Sequence, residues 1–248
     1  NNELRELTYA IQMDANVQPV RMDQADGMRI YRRSLVYLLE TVFNSLYKPA
    51  TLTVDHSVAF GGYYCWVSKR APLANDELKT LERQMSKLVE QDLPIERKIV
   101  PIEEAIEYFR NEDEEDKVSL LTHRQKPYMA LYQLGDHRDY HHGYMVPSTG
   151  YLRWFTLVPT GEGFTLRCPR RAAPTEIQPM PEYPRLLATF RQYGDWLTRL
   201  GISSVGTLDN AIKKDRINEV ILVSEALHEQ RVSELAAQIA ERNDQIKV

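Results

Sequence analysis

The stretch from Tyr128 to Arg167, YMALYQLGDHRDYHHGYMVPSTGYLRWFTLVPTGEGFTLR, decides the fold. Four short runs in it, 128–134, 139–146, 151–158 and 163–167, are alternating or continuously apolar and are separated by turn residues. They read as strands of an antiparallel meander. Pro147-Ser148-Thr149-Gly150 is the clearest turn, because Pro presets φ at its start and Gly permits a positive φ at its end.

Upstream of the meander, Leu35, Leu38, Leu39, Val42 and Leu46 recur at spacings of three and four, which predicts an amphipathic helix from Met28 to Tyr47 ended by Pro49. Residues 52–54 and 63–67 form a strand pair about Gly61-Gly62, with Tyr64 and Trp66 on one face and Tyr63, Cys65 and Val67 on the other. Asn75 is placed to cap a second helix striped by Leu78, Leu81, Met85, Leu88 and Val89. Residues 95–100 read as a strand, Pro101 starts a helix over 102–110, and the acidic run 112–116 reads as a solvated loop before a short helix through Leu121. At the other end, 8–12 and 17–20 read as a short hairpin completing a sheet edge. The sum is α+β, an antiparallel sheet with helices packed on one face.

Downstream, Pro169, Pro174, Pro179, Pro181 and Pro184 forbid regular structure. They divide the chain into an α+β domain over 1–168, a linker over 169–184 and an all-α segment over 185–248. That segment holds helices over 185–200, with Gly201 as the residue after the cap, 208–214 and 218–242. The stripe Ile221, Leu222, Leu227, Val232, Leu235 and Ile239 on the last helix serves either as core or as the seam of a homodimer.

With 248 residues and 43% hydrophobic content, the chain can bury one large core or two modest ones. No apolar run reaches the roughly 20 residues of a membrane span, and the start lacks a basic-then-apolar signal, so the cytoplasm is the default location. Cys65 and Cys168 are too few for a disulfide framework and read as buried thiols. A net charge of -4 argues against indiscriminate nucleic-acid binding, leaving room only for a local basic patch.

Two segments far apart read as halves of one metal site with its ligands replaced: Arg33-Ser34-Leu35-Val36-Tyr37-Leu38-Leu39 and His141-His142-Gly143-Tyr144-Met145-Val146-Pro147-Ser148-Thr149-Gly150. The first keeps the spacing of H-x-x-x-H, which puts two side chains on one helical face, yet a guanidinium and a phenol cannot chelate a cation at neutral pH.

These segments resemble the editing region of threonyl-tRNA synthetases, where they run H-S-x-x-H-L-L and C-x-G-x-H-V-P-x-T. The likeness covers about residues 1 to 158. It implies an editing-type fold, and a former pocket in which Arg33, Tyr37, His141 and Met145 occupy the positions of His, His, Cys and His. Of the four only His141 retains ligand capacity, so no catalytic residue and no metal site are expected among them.

The strings Tyr144 to Leu152 and Val223 to Glu229 are similar to bacterial uridine kinase-like proteins, in which a synthetase-like region precedes a P-loop kinase domain. Asn1-Asn2-Glu3-Leu4 resembles the exit from a ubiquitin-like TGS domain, and Gln245 to Val248 the approach to the kinase strand. The resemblance implies a non-catalytic middle piece, with no cofactor of its own, that positions or regulates a kinase domain in cis. That domain would phosphorylate a nucleoside with ATP and Mg²⁺. The competing expectations are a tRNA-binding or aminoacyl-tRNA deacylase domain, and a dimerisation scaffold.

Four local features bear on these expectations. Arg33, Tyr37 and His141 either offer donors to a nucleotide effector or a tRNA end, or are absorbed into the core. Arg167, Arg170 and Arg171, near Trp154 and Phe155, form a candidate anion or RNA patch. On a strand His137, Asp139 and His141 would share a face, with His142 opposite, so the group reads either as a three-ligand metal site or as ordinary polar residues of a partly exposed strand. Gly201 to Thr207 has the outline of a phosphate loop but has Thr207 where Lys is needed and follows a helix, so it reads as a helix-to-helix turn.

Overall fold

A computed structural model of the chain describes residues 3–179, 181, 183–202 and 204–242. Contacts divide these into two units, one of residues up to 100 with 128–184, the other of 101–127 with those from 185 onward.

The first unit contains α1 (Ala25–Tyr47), β1 (Thr51–Ser57), β2 (Gly62–Ser68), α2 (Asn75–Gln91), β3 (Glu96–Pro101), β4 (Tyr128–Leu134), β5 (His137–Asp139), β6 (Thr156–Thr160) and β7 (Gly163–Arg167). The α+β reading holds, but the strands make two sheets where a single meander is predicted. One has the order β1-β2-β7-β6, all neighbours antiparallel, and the other β3-β4-β5. Leu35, Leu38, Leu39 and Phe43 of α1 and Leu78, Leu81 and Met85 of α2 are buried in one core with Cys65, Phe164 and Leu166 of the four-stranded sheet. Both cysteines are buried free thiols, as expected.

Four predicted strands fall short, for visible reasons. The run 139–146 leaves the sheet after Asp139, because Gly143 turns to φ +99° and Arg33 Nη1 donates to the Tyr144 carbonyl at 2.5 Å in place of a strand partner. The run 151–158 becomes a strand only at Thr156. Before it, the Tyr31 hydroxyl accepts from Trp154 N–H (2.9 Å) and donates to Trp154 C=O (2.8 Å), satisfying that residue without a ladder. The hairpin over 8–12 and 17–20 is absent; Tyr9, Ile11, Met13 and Val17 are more than half exposed, and two strands without a packed face are marginal in water.

Smaller corrections concern caps and turns. Asn75 opens α2 rather than capping it; the Glu77 carboxylate, held by Arg70, accepts from the Ala74 N–H at 2.9 Å. Gly150 does not take a positive φ and lies in a 3₁₀ turn over Thr149–Tyr151. Its small size answers a close approach instead, since a Cβ there would sit 2.3 Å from Asp92 Oδ1.

The second unit contains α3 (Ile102–Asn111), α4 (Glu115–Thr122), α5 (Pro184–Arg199), α6 (Val205–Lys213) and α7 (Ile217–Glu241). The acidic run is not all loop, because Glu115 and Asp116 form the first turn of α4, where the helix dipole favours them. Asn210 of α6 reaches back to α4, bonding Ser119 Oγ at 3.0 Å and His123 at 3.1 Å. Gly201, at φ +69°, closes α5 with paired bonds from its own N–H to Thr198 and from Ile202 N–H to Leu197. Ser204 then caps α6 through Thr207 N–H at 3.2 Å, so Gly201 to Thr207 is a helix-to-helix connection, with Ser203 outside the described residues. No residue of α7 is buried, and Ile221, Leu222, Val232, Leu235 and Ile239 are exposed. Among the described residues, no helix is long and apolar enough to cross a membrane.

Candidate functional site

The face of α1 that carries Arg33, Tyr37 and Glu40, at spacings of four and three, meets the irregular loop that follows β5. Ser34 fixes how the two segments meet. Its fully buried hydroxyl donates to Ile30 C=O at 2.8 Å and accepts from Val146 N–H at 2.9 Å. Downstream, Ile95 N–H donates to Pro147 C=O and Thr149 N–H to Leu93 C=O, both at 2.9 Å. The Thr149 hydroxyl accepts from Leu93 N–H and donates to Leu88 C=O. The shared Ser, Val-Pro and Thr positions are therefore the braces of the framework.

The positions between the braces do different work. Tyr37 is wholly buried, and its hydroxyl lies 2.8 Å from Tyr132 C=O and 3.0 Å from His137 C=O, so its single proton is committed to backbone. Its ring stacks on His137 with centroids 5.4 Å apart and meets His141 edge-on at 5.5 Å. Burial pulls the Arg33 guanidinium down from its usual range, though it stays charged at neutral pH. Met145 is core, and the cavity beside it, lined by Ile95, Tyr132, Val146 and Pro147, measures about 10 Å³, room for one water. A guanidinium bound to a carbonyl, a sealed phenol and a buried thioether do not fit a tetrahedral cation.

A different trio does come together. Glu40, Asp139 and His141 place ligand atoms within 4.8 Å of one another, with His141 Nε2 3.5 Å from Glu40 Oε2. His137, expected to share this face with Asp139 and His141, stacks on Tyr37, and His142 is exposed beside Tyr140. Sequence reasoning missed Glu40. Its signal was periodicity, since it stands one turn beyond Tyr37 and two beyond Arg33.

The arginine patch is smaller than expected. Arg167 is 4% exposed and turned inward, donating from Nε to Gly61 C=O at 3.2 Å and from Nη2 to Gln178 C=O. Arg170 and Arg171 are exposed, while Trp154 and Phe155 pack against the core.

No family model matches the chain. Among curated proteins it is 35% identical over 159 residues to a threonine–tRNA ligase of Methylococcus capsulatus, 64% of the chain and 25% of that protein. It is 35% identical over 156 residues to the ligase of Acidithiobacillus ferrooxidans, 62% and 24% of the two chains, and 32% over 151 residues to that of Teredinibacter turnerae, 60% and 24%. The chain spans about a quarter of the length of these relatives. By sequence, then, most of the chain is homologous to an N-terminal quarter of threonine–tRNA ligases.

Proposed function

We propose that this chain is a tRNA-binding module of the threonine–tRNA ligase type whose inherited hydrolytic position is closed. The observation that carries this reading is Tyr37. In a framework related to those ligases, a buried phenol bonded to two backbone carbonyls fills a position that the resemblance gives to a histidine. Of the arginine patch, Arg170 and Arg171 are exposed and available to tRNA phosphates. Gel shift with tRNA at graded salt tests the reading. Two phosphate contacts give a slope of log K against log salt between about -1.4 and -1.8, flattened in the Arg170→Ala/Arg171→Ala variant. Serine-mischarged tRNA is expected to deacylate no faster than without protein. No shift at low salt overturns tRNA binding, and accelerated deacylation restores the editing alternative.

A second reading, as the regulatory or positioning region of a uridine kinase-like parent using ATP and Mg²⁺ in a cis kinase domain, rests on the strings Tyr144 to Leu152 and Val223 to Glu229. The relatives named above do not bear on it, and Gln245 to Val248, like Asn1-Asn2, lie outside the described residues. The gene sequence past Val248 tests it: a strand followed by G-x-x-x-x-G-K-[ST] supports the parent, and any other continuation rejects it.

A further inference from the structure

We propose that Glu40, Asp139 and His141 form a site for a divalent first-row transition cation, built from a ligand set that shares only His141 with the four former-pocket positions. Glu40 comes from α1, Asp139 from the end of β5, and His141 from the loop two residues on, so the site staples helix to sheet.

Three observations converge on a cation. Glu40 Oε2 and His141 Nε2 are shielded from solvent and have no hydrogen-bond partner. Buried polar atoms in that state are rare, because nothing offsets their loss of water. A cation between them would serve both. Their separation of 3.5 Å is long for a charge-assisted hydrogen bond, about 2.7–2.9 Å, but close to the ligand–ligand distance of about 3.4 Å across a tetrahedral ion with bonds near 2.1 Å. Asp139, 4% exposed, completes the trio and is oriented by the Tyr140 N–H, which donates to its Oδ1 at 2.7 Å.

The donor set fixes the class of ion. Two carboxylates balance a double positive charge and also accept manganese, the imidazole favours zinc, cobalt or nickel over calcium and magnesium, and no thiolate contributes. Three protein ligands leave at least one coordination position for water. The site stands independently of tRNA binding.

Titration calorimetry of the chelator-stripped protein with Zn²⁺ and with Mn²⁺ tests the site. One equivalent is expected to bind. Glu40→Gln and His141→Gln should each weaken it by more than the about 10- to 100-fold that loss of an outer partner costs, while His142→Gln leaves it unchanged. Circular dichroism checks that the variants fold. If they do not, Co²⁺ added to the wild-type protein decides, since intense visible bands of a low-coordinate O/N site are expected. Absence of binding, binding that survives in Glu40→Gln, binding abolished by His142→Gln alone, or a spectrum of hydrated Co²⁺ only overturns the proposal.

Discussion

Ser34 ties α1 to a backbone amide 112 residues away, and it does so with one hydroxyl that both donates and accepts inside the core. Removing it leaves the Val146 N–H buried without a partner, so Ser34→Ala is expected to cost about 1–3 kcal/mol in urea unfolding. A loss within a few tenths would show that the brace is dispensable. Ser34, Val146 and Thr149 were legible in the sequence, because they belong to spaced motifs. The fate of Tyr37 was legible only as two alternatives, and the structure supports absorption into the core, with Arg33 bonded to the Tyr144 carbonyl. Glu40 was not singled out because an acidic residue on a helix is ordinarily solvated; only the fold brings a histidine and an aspartate to it.

At the scale of elements, α1 and α2 followed from apolar periodicity, since each carries the 3.6-residue signal over several turns. The strands over 139–146 and 151–158 did not, because side chains of α1 take over hydrogen bonds that a ladder would supply, and local patterning carries no record of a helix more than 100 residues away. The 3₁₀ turn at Thr149–Tyr151 is a further case, with Gly150 N–H donating to Asp92 Oδ1 at 2.9 Å. A methyl at Gly150 must displace that carboxylate. Gly150→Ala is therefore expected to destabilise by about 0.5–1.5 kcal/mol in thermal unfolding through loss of the Asp92 bond, and an unchanged melting temperature would count against so close a fit.

For the whole molecule, pH acts through buried phenols. Burial pushes Tyr31 and Tyr132 above the usual tyrosine range. Folded values above the unfolded value near about 10 mean that their contribution is full below that pH and is lost as pH rises through the folded values. Absorbance at 295 nm should show a group of tyrosines ionising only together with loss of near-ultraviolet dichroism; ionisation of every tyrosine in still-folded protein would contradict this. The grouping of 101–127 with the C-terminal helices had no local signature in the sequence, since the proline-rich stretch is the only visible punctuation. That grouping bears on any attempt to isolate the synthetase-related part by cutting at the prolines. The α3–α4 excursion would travel with the kept half while α6, which supplies Asn210 to Ser119 and His123, would be discarded, leaving an orphaned helical hairpin with a sticky face. A clean dissection therefore has to bridge Val100 to Tyr128 as well, treating the polypeptide as interleaved rather than as beads in series.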